Sequence, residues 1–245
     1  STSGSAAACK RSLDRKLRLQ ERLEPLGVVA REVAEGDAVG VTQYGLEELK
    51  VMVEEAEKHE RKVAAHAHGA EGIKIATRAG VASIEHGSFL DEEGAKLMAQ
   101  KGTYLVPTLL AGETVEKLAK SGVLKGYRGE KALAAAAAMR KAIKIAIANK
   151  VKIALGTDSG VYQHGLNGHE FTLMVEWGGM RPIDAIVAGT QNGAKLLGLD
   201  KTIGTLTVGK YADIVAVAGN PLENIKTMEN AVFVMKNGVV YKEIK

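Results

Sequence analysis

At 245 residues, with 46% hydrophobic and 25% charged residues, the chain is long enough for one large domain, or one medium domain plus an appendage. Its formal net charge of +4, from 33 basic and 29 acidic residues, is mild. No Lys/Arg block is interleaved with aromatics, so the sequence argues for no nucleic-acid partner.

Aromatic residues make up only 4%, so the core must rest on Ala, Val, Ile and Leu. The single cysteine, Cys9, cannot form an internal disulfide, and nothing points to an oxidising compartment. No apolar run reaches the roughly 20 residues that span a bilayer. STSGSAAACKRS lacks the apolar segment of a secretory signal. The expectation is a cytoplasmic protein with no membrane partner.

Residues 1–40 read differently from the rest. STSGSAAA is small and polar, as a linker is. KRSLDRKLRLQERLEPLGVVAREVAEGDA then carries Leu13, Leu17, Leu19, Leu23 and Leu26 at a spacing that suits an amphipathic helix broken near Pro25. A solvated, charged tail fits the same stretch.

From residue 45 the pattern becomes regular. LEELKVMVEEAEKHE (46–60) has helical periodicity, and KVAAHAHG (62–69) is a short strand candidate. AEGIKIATRAG (70–80) is a helix ending near glycine, VASIEHG (81–87) a second strand, and LDEEGAKLMAQKG (90–102) a helix. TYLVPTLL (103–110) is a third strand, followed by an alanine-rich helix from about 130 to 149. KVKIALGTDSG (150–160) is a fourth strand ending in a polar turn, with helices around 168–178, 182–190 and 191–197. Short apolar strands far apart in sequence argue for parallel βαβ units. The fold class is therefore α/β: a partial (βα) barrel of about four parallel strands over 41–200. Residues 201–245 alternate in YADIVAVAG and AVFVMKNGVVYKE, with Lys236-Asn237-Gly238 as a hairpin turn, and form a small β appendage.

In such a barrel the C-terminal strand ends build the active site. They carry His66 (with His68), His86 and Asp158. Two imidazoles and a carboxylate at one sheet mouth suit zinc, or manganese. Each is weak alone, since a lone strand-end histidine is usually structural and an Asp before Ser-Gly is usually a turn cap. The repetition after three separate strands is the signal. His66 sits closer to the apolar run and is the expected ligand, with Asp158 as ligand and proton acceptor. His68, on the same face, is expected at the substrate. His164 and His169, in the loop VYQHGLNGHEF, are either substrate contacts or exposed loop residues. No G-x-S-x-G elbow is present, which disfavours a nucleophile at Ser88 or Ser159.

KVAAHAHGAEGIKIATRAGVASIEHGSFLDEEGAKLMAQKGTYLVPTL, then IALGTDSG, then GTLTVGKYADIVAVAGNPLENI, resembles the metal-dependent amidohydrolase superfamily, in its imidazolonepropionase-like and Xaa-Pro dipeptidase branch. The resemblance covers about residues 43–245. It implies that His66 and His86 are the metal histidines of the fifth and sixth barrel strands, and Asp158 the aspartate of the eighth. It also implies an earlier His-x-His pair on the first strand and a bridging lysine or glutamate on the fourth; no His-x-His precedes residue 66, and no such strand precedes residue 45. His66-Ala-His68 has the spacing of that pair but aligns with the fifth strand. The reading is an N-terminally truncated scaffold, whose open edges and exposed barrel face are expected to be covered by a second copy or by the N-terminal helix. The expected activity is metal-activated hydrolysis of an ester, phosphodiester or amide bond in a small molecule. The alternative is a non-catalytic fragment or assembly module that keeps the ligands.

Overall fold

The computed structural model describes residue 42 and residues 44–244. The amphipathic stretch expected over 1–40 lies outside the described residues. Helix α1 (Leu46–Lys58) opens with the Gly45 N–H donating to the Glu48 carboxylate at 2.7 Å. After it come β1 (Ala64–Ala67), α2 (Ala70–Ala79), β2 (Ser83–His86), α3 (Glu92–Lys101) and β3 (Tyr104–Val106). The local signals placing these are simple. The α3 N-cap is Asp91, whose side chain accepts from Gly94 N, and α2 and α3 stop at Gly80 and Gly102 in the left-handed region.

The four strands β1, β2, β3 and β4 (Lys152–Ile153) form one parallel sheet in chain order. Their registers set Ala65, Ile84, Leu105 and Ile153 in one row. All four are buried in the same apolar cluster as Ile73, Met98, Ile143 and Leu173, which come from the helices. The neighbouring row, His66, Glu85 and Val106, lies on the other face. There Glu85 and Val106 border a cavity of about 400 Å³ with Ser83, Leu155 and Leu197. Among the described residues β1 and β4 are the sheet edges, as a half-barrel requires.

Three boundaries differ from the sequence reading. The third strand stops at Val106 instead of running to 110. Pro107 has no N–H for the ladder, Thr108 turns left-handed (φ 48°), and an unforeseen helix α4 (Leu109–Lys120) begins at once. The alanine-rich helix α5 spans Gly126–Ala148 and starts earlier than 130. The fourth strand is only two residues long, because Leu155 N turns away to donate to Ala188 O.

Beyond β4 lie α6 (His169–Glu176), α7 (Pro182–Val187), a π-helical turn over Ala188–Asn192, and α8 (Gly193–Leu197). A separate antiparallel sheet follows, β5 (Ile214–Val217), β6 (Ala231–Lys236) and β7 (Val239–Glu243), with a 3₁₀ turn over Ile225–Glu229 before β6. The hairpin turn falls at Asn237-Gly238, both at positive φ (50° and 77°), the pair that a type I′ turn demands. No helix among the described residues is long and apolar enough to cross a membrane.

Candidate metal centre

Strand β1 delivers His66 within its ladder and His68 just beyond it, while β2 ends on His86. The ring nitrogens His66 Nδ1 and His86 Nε2 stand 2.9 Å apart. His68 closes the group, its ring centroid 4.8 Å from that of His66 and 4.9 Å from that of His86. Ligand atoms of all three lie within 4.8 Å of one another, the one such cluster found among the described residues.

The other ring nitrogens are held from behind. His86 Nδ1 shares a hydrogen bond of 2.6 Å with Thr108 Oγ1, and His68 Nδ1 one of 2.7 Å with Ser88 Oγ. Thr108 and Ser88 are both buried, so these anchors are shielded from water. Such contacts fix ring orientation and leave the opposite nitrogen free to ligate.

The backbone is strained at the same places. His86 (φ 68°) is the last residue of β2, Thr108 (φ 48°) and Asp158 (φ 52°) lie beyond the ends of β3 and β4, and all three adopt the left-handed region without being glycine. Each such residue costs on the order of 1 kcal/mol or more, and such residues cluster where function requires a geometry that packing must enforce.

Burial also sets the charge state. It pushes the His68 imidazole down to about 3, helped by His86 and His66 and opposed by Asp158. His86 is pushed down to about 4 by burial and then by His66. His66 is lowered by burial, with Asp158 pulling it back up. All three are thus neutral at neutral pH, the form that binds metal.

The residues fit a divalent cation. Two ring nitrogens at 2.9 Å repel unless a proton or a cation lies between them. A Zn–N length of about 2.0–2.1 Å sets two tetrahedral nitrogens roughly 3.3 Å apart, a small opening of the pair seen.

Asp158 stands outside the three-histidine cluster, exposed on the loop after β4. It is still close enough to act on His66, His68 and Glu85 through its charge. Glu85 shares a face with His66, bonds Ser83 Oγ at 2.6 Å, and has its carboxyl pushed up by burial. His164 is exposed and paired with Ser159 at 3.2 Å. His169 has both ring nitrogens engaged, with Glu229 at 2.9 Å and Glu113 at 3.2 Å. As a substrate contact it would have to release one of them.

Sequence reasoning missed the anchors. Thr108 follows Pro107 at a strand end, which marks a loop but not a partner. Glu170 carried no sign at all. Fully buried, it accepts from Leu109 N at 2.8 Å and Leu110 N at 2.7 Å. Burial raises its carboxyl, and although the two N–H donors pull it down, it stands at about 7. With an N–H on each oxygen, the geometry suits the ionised form.

A parallel half-barrel with metal-type ligands at its strand ends is the architecture of a metallohydrolase barrel. The model of the amidohydrolase family matches residues 5–242, and the chain belongs to that family. The match begins inside the segment that the sequence pattern set apart, earlier than the residue 43 at which the likeness was read.

Over 220 residues the chain is 39% identical to the ochratoxinase of Aspergillus niger, covering 88% of this chain and 44% of that protein. The crystal structure of that ochratoxinase superposes with a TM-score of 0.79 at 37% identity, over 94% of this chain and 54% of the other. A Xaa-Pro dipeptidase solved with methionine in its active site superposes with a TM-score of 0.84 at 39% identity, over 92% of this chain and 56% of the other. A prolidase solved with N-methylphosphonate-L-proline gives a TM-score of 0.77 at 29% identity, over 89% and 53%. The chain spans about half the length of the relatives it matches.

Proposed function

We propose that this chain is a metal-dependent hydrolase of amide bonds in small molecules. The observation that carries the reading is the facing pair of imidazoles, His66 and His86, at the carboxyl ends of adjacent parallel strands. The amide bond is favoured over the ester and phosphodiester because relatives of this chain include a dipeptidase and a prolidase.

In this reading His66 and His86 would hold a cation through ring nitrogens, with Asp158 as the third ligand. Zinc is the first choice for an imidazole-rich site, with manganese the alternative if oxygen donors dominate. A bound divalent ion supplies Lewis acidity and a water of lowered pKa. Asp158, exposed beside the histidines, takes a proton from the attacking water and returns it to the leaving amine. His68, anchored by Ser88, and His164, paired with Ser159, face the substrate. A second copy closing the open half of the barrel belongs to the same reading. It is supported by the cavity on the inner face and by Leu197, which lines it and is 66% exposed. Sedimentation at micromolar concentration that finds only monomer would remove this part.

The test is turnover of a Xaa-Pro dipeptide, a carboxylester and a phosphodiester, each with and without chelator. Chelator-sensitive cleavage of the dipeptide supports the proposal, and ester or phosphodiester cleavage alone moves the assignment to that bond. No turnover with zinc or manganese added would favour a non-catalytic module that keeps its ligands.

A further inference from the structure

We infer that Glu170 is a positioning residue for the metal centre, freeing the Thr108 hydroxyl to hold His86. A threonine at a helix N-cap ordinarily turns its own hydroxyl onto the backbone N–H groups of the first turn. Thr108 occupies that place before α4 and makes no such bond. Its hydroxyl goes to His86 Nδ1 at 2.6 Å. The orphaned donors Leu109 N and Leu110 N are met instead by the Glu170 carboxylate, from the first turn of α6.

Three features make this more than a generic cap. Glu170 is fully buried, and both of its oxygens are spent on this one helix end. A negative charge there also suits the helix dipole. Its neighbour His169 grips the same helix one turn further on, through Glu113 at 3.2 Å. The left-handed backbone at Thr108 (φ 48°) needs such external support. Without Glu170 the Thr108 hydroxyl becomes the nearest substitute cap, and turning to that task it leaves His86.

The inference rests on the reading of His86 as a metal ligand, and the experiment separates the two. Zinc affinity of the full chain is measured by competition with a chromogenic chelator, for wild type, His86→Ala, Glu170→Gln, Thr108→Val, Thr108→Ser and the Glu170→Gln/Thr108→Val pair. Circular dichroism checks the fold of each, and Glu170→Asp replaces Glu170→Gln if that variant is unfolded at the assay temperature. Loss of a partner that orients a metal-binding histidine weakens binding by about 10- to 100-fold. The expected result is such a loss in Glu170→Gln and in Thr108→Val, near-normal affinity in Thr108→Ser, and a pair no weaker than Thr108→Val alone. Losses that multiply in the pair would mean that Glu170 acts by another route, and overturn the inference. Wild-type affinity in Glu170→Gln, with zinc lost in His86→Ala, would overturn it as well. Unchanged zinc binding in His86→Ala would instead sink the metal reading itself.

Discussion

His66 and His86 face one another at 2.9 Å although the strand register sets them on different rows, His66 opposite Glu85 and His86 opposite Ala67. Side chains alternate along a strand, so a regular ladder would send His86 with Ile84 toward the helices. The left-handed turn at His86 (φ 68°) is what swings its ring to the other side, where Thr108 catches it. The pairing is a product of backbone strain held in place by a buried hydrogen bond.

The two histidines of KVAAHAHG have separable roles in this account. His66→Asn should lower zinc affinity by 100-fold or more. His68→Asn should keep zinc within about threefold of wild type and raise KM for a cleaved substrate. Chelator competition followed by steady-state kinetics checks both, and equal zinc losses would make His68 a ligand.

The lowered histidine pKa values give a pH dependence of defined sign. The folded-state pKa of His86 is about 4, below the ordinary value of 6.5. As pH falls through that window, the unfolded chain takes up a proton that the folded chain refuses. Stability attached to His86 is therefore full above about pH 6.5 and falls toward pH 4, by about 1.4 kcal/mol per pH unit at most. Glu170, raised to about 7, works in the opposite direction, so the effect must be isolated by difference. In urea unfolding of metal-free protein, wild type should lose stability relative to His86→Gln between pH 6 and 4.5. A constant difference would contradict the assignment.

Gly168 couples α6 to the 3₁₀ turn before β6. A Cβ there would meet Met228 O at 2.4 Å and Glu229 Cα at 2.8 Å, both backbone. Gly168→Ala should cost about 2 kcal/mol, the usual scale of overpacking. It should also loosen the bond from His169 to Glu229, now 2.9 Å. The urea midpoint reads the first effect, and the His169 imidazole resonances read the second.

The sheet itself sets a further expectation. Ile84 is fully buried in the row that faces the helices. Ile84→Ala should destabilise by about 3 kcal/mol through lost burial and a residual cavity. Thermal and denaturant melts check it.

Much of this was legible in the chain wherever the cause is local. Helices α2 and α3 end on Gly80 and Gly102, and β1 and β2 are apolar runs with histidine at or near their carboxyl ends. The hairpin at Asn237-Gly238 declares its own turn type. Helix α4 was not legible, because its cap is Glu170, about 60 residues away, and TYLVPTLL alone reads as a strand. Thr108 and Ser88 were hidden for the same reason: their partners are histidines 22 and 20 positions distant, joined only by the parallel crossovers. The loop histidines could not be ranked from sequence, since the Glu113 and Glu229 that engage His169 lie on separate elements.

Everything proposed for this site depends on His66 and His86 holding a divalent metal. The decisive measurement is metal content per chain on purified wild type and on His86→Ala after equilibration with zinc. Wild type should hold close to one zinc tightly and the variant should lose it, with both folded. A wild-type chain that retains no zinc, or a variant that retains as much, would contradict the metal assignment.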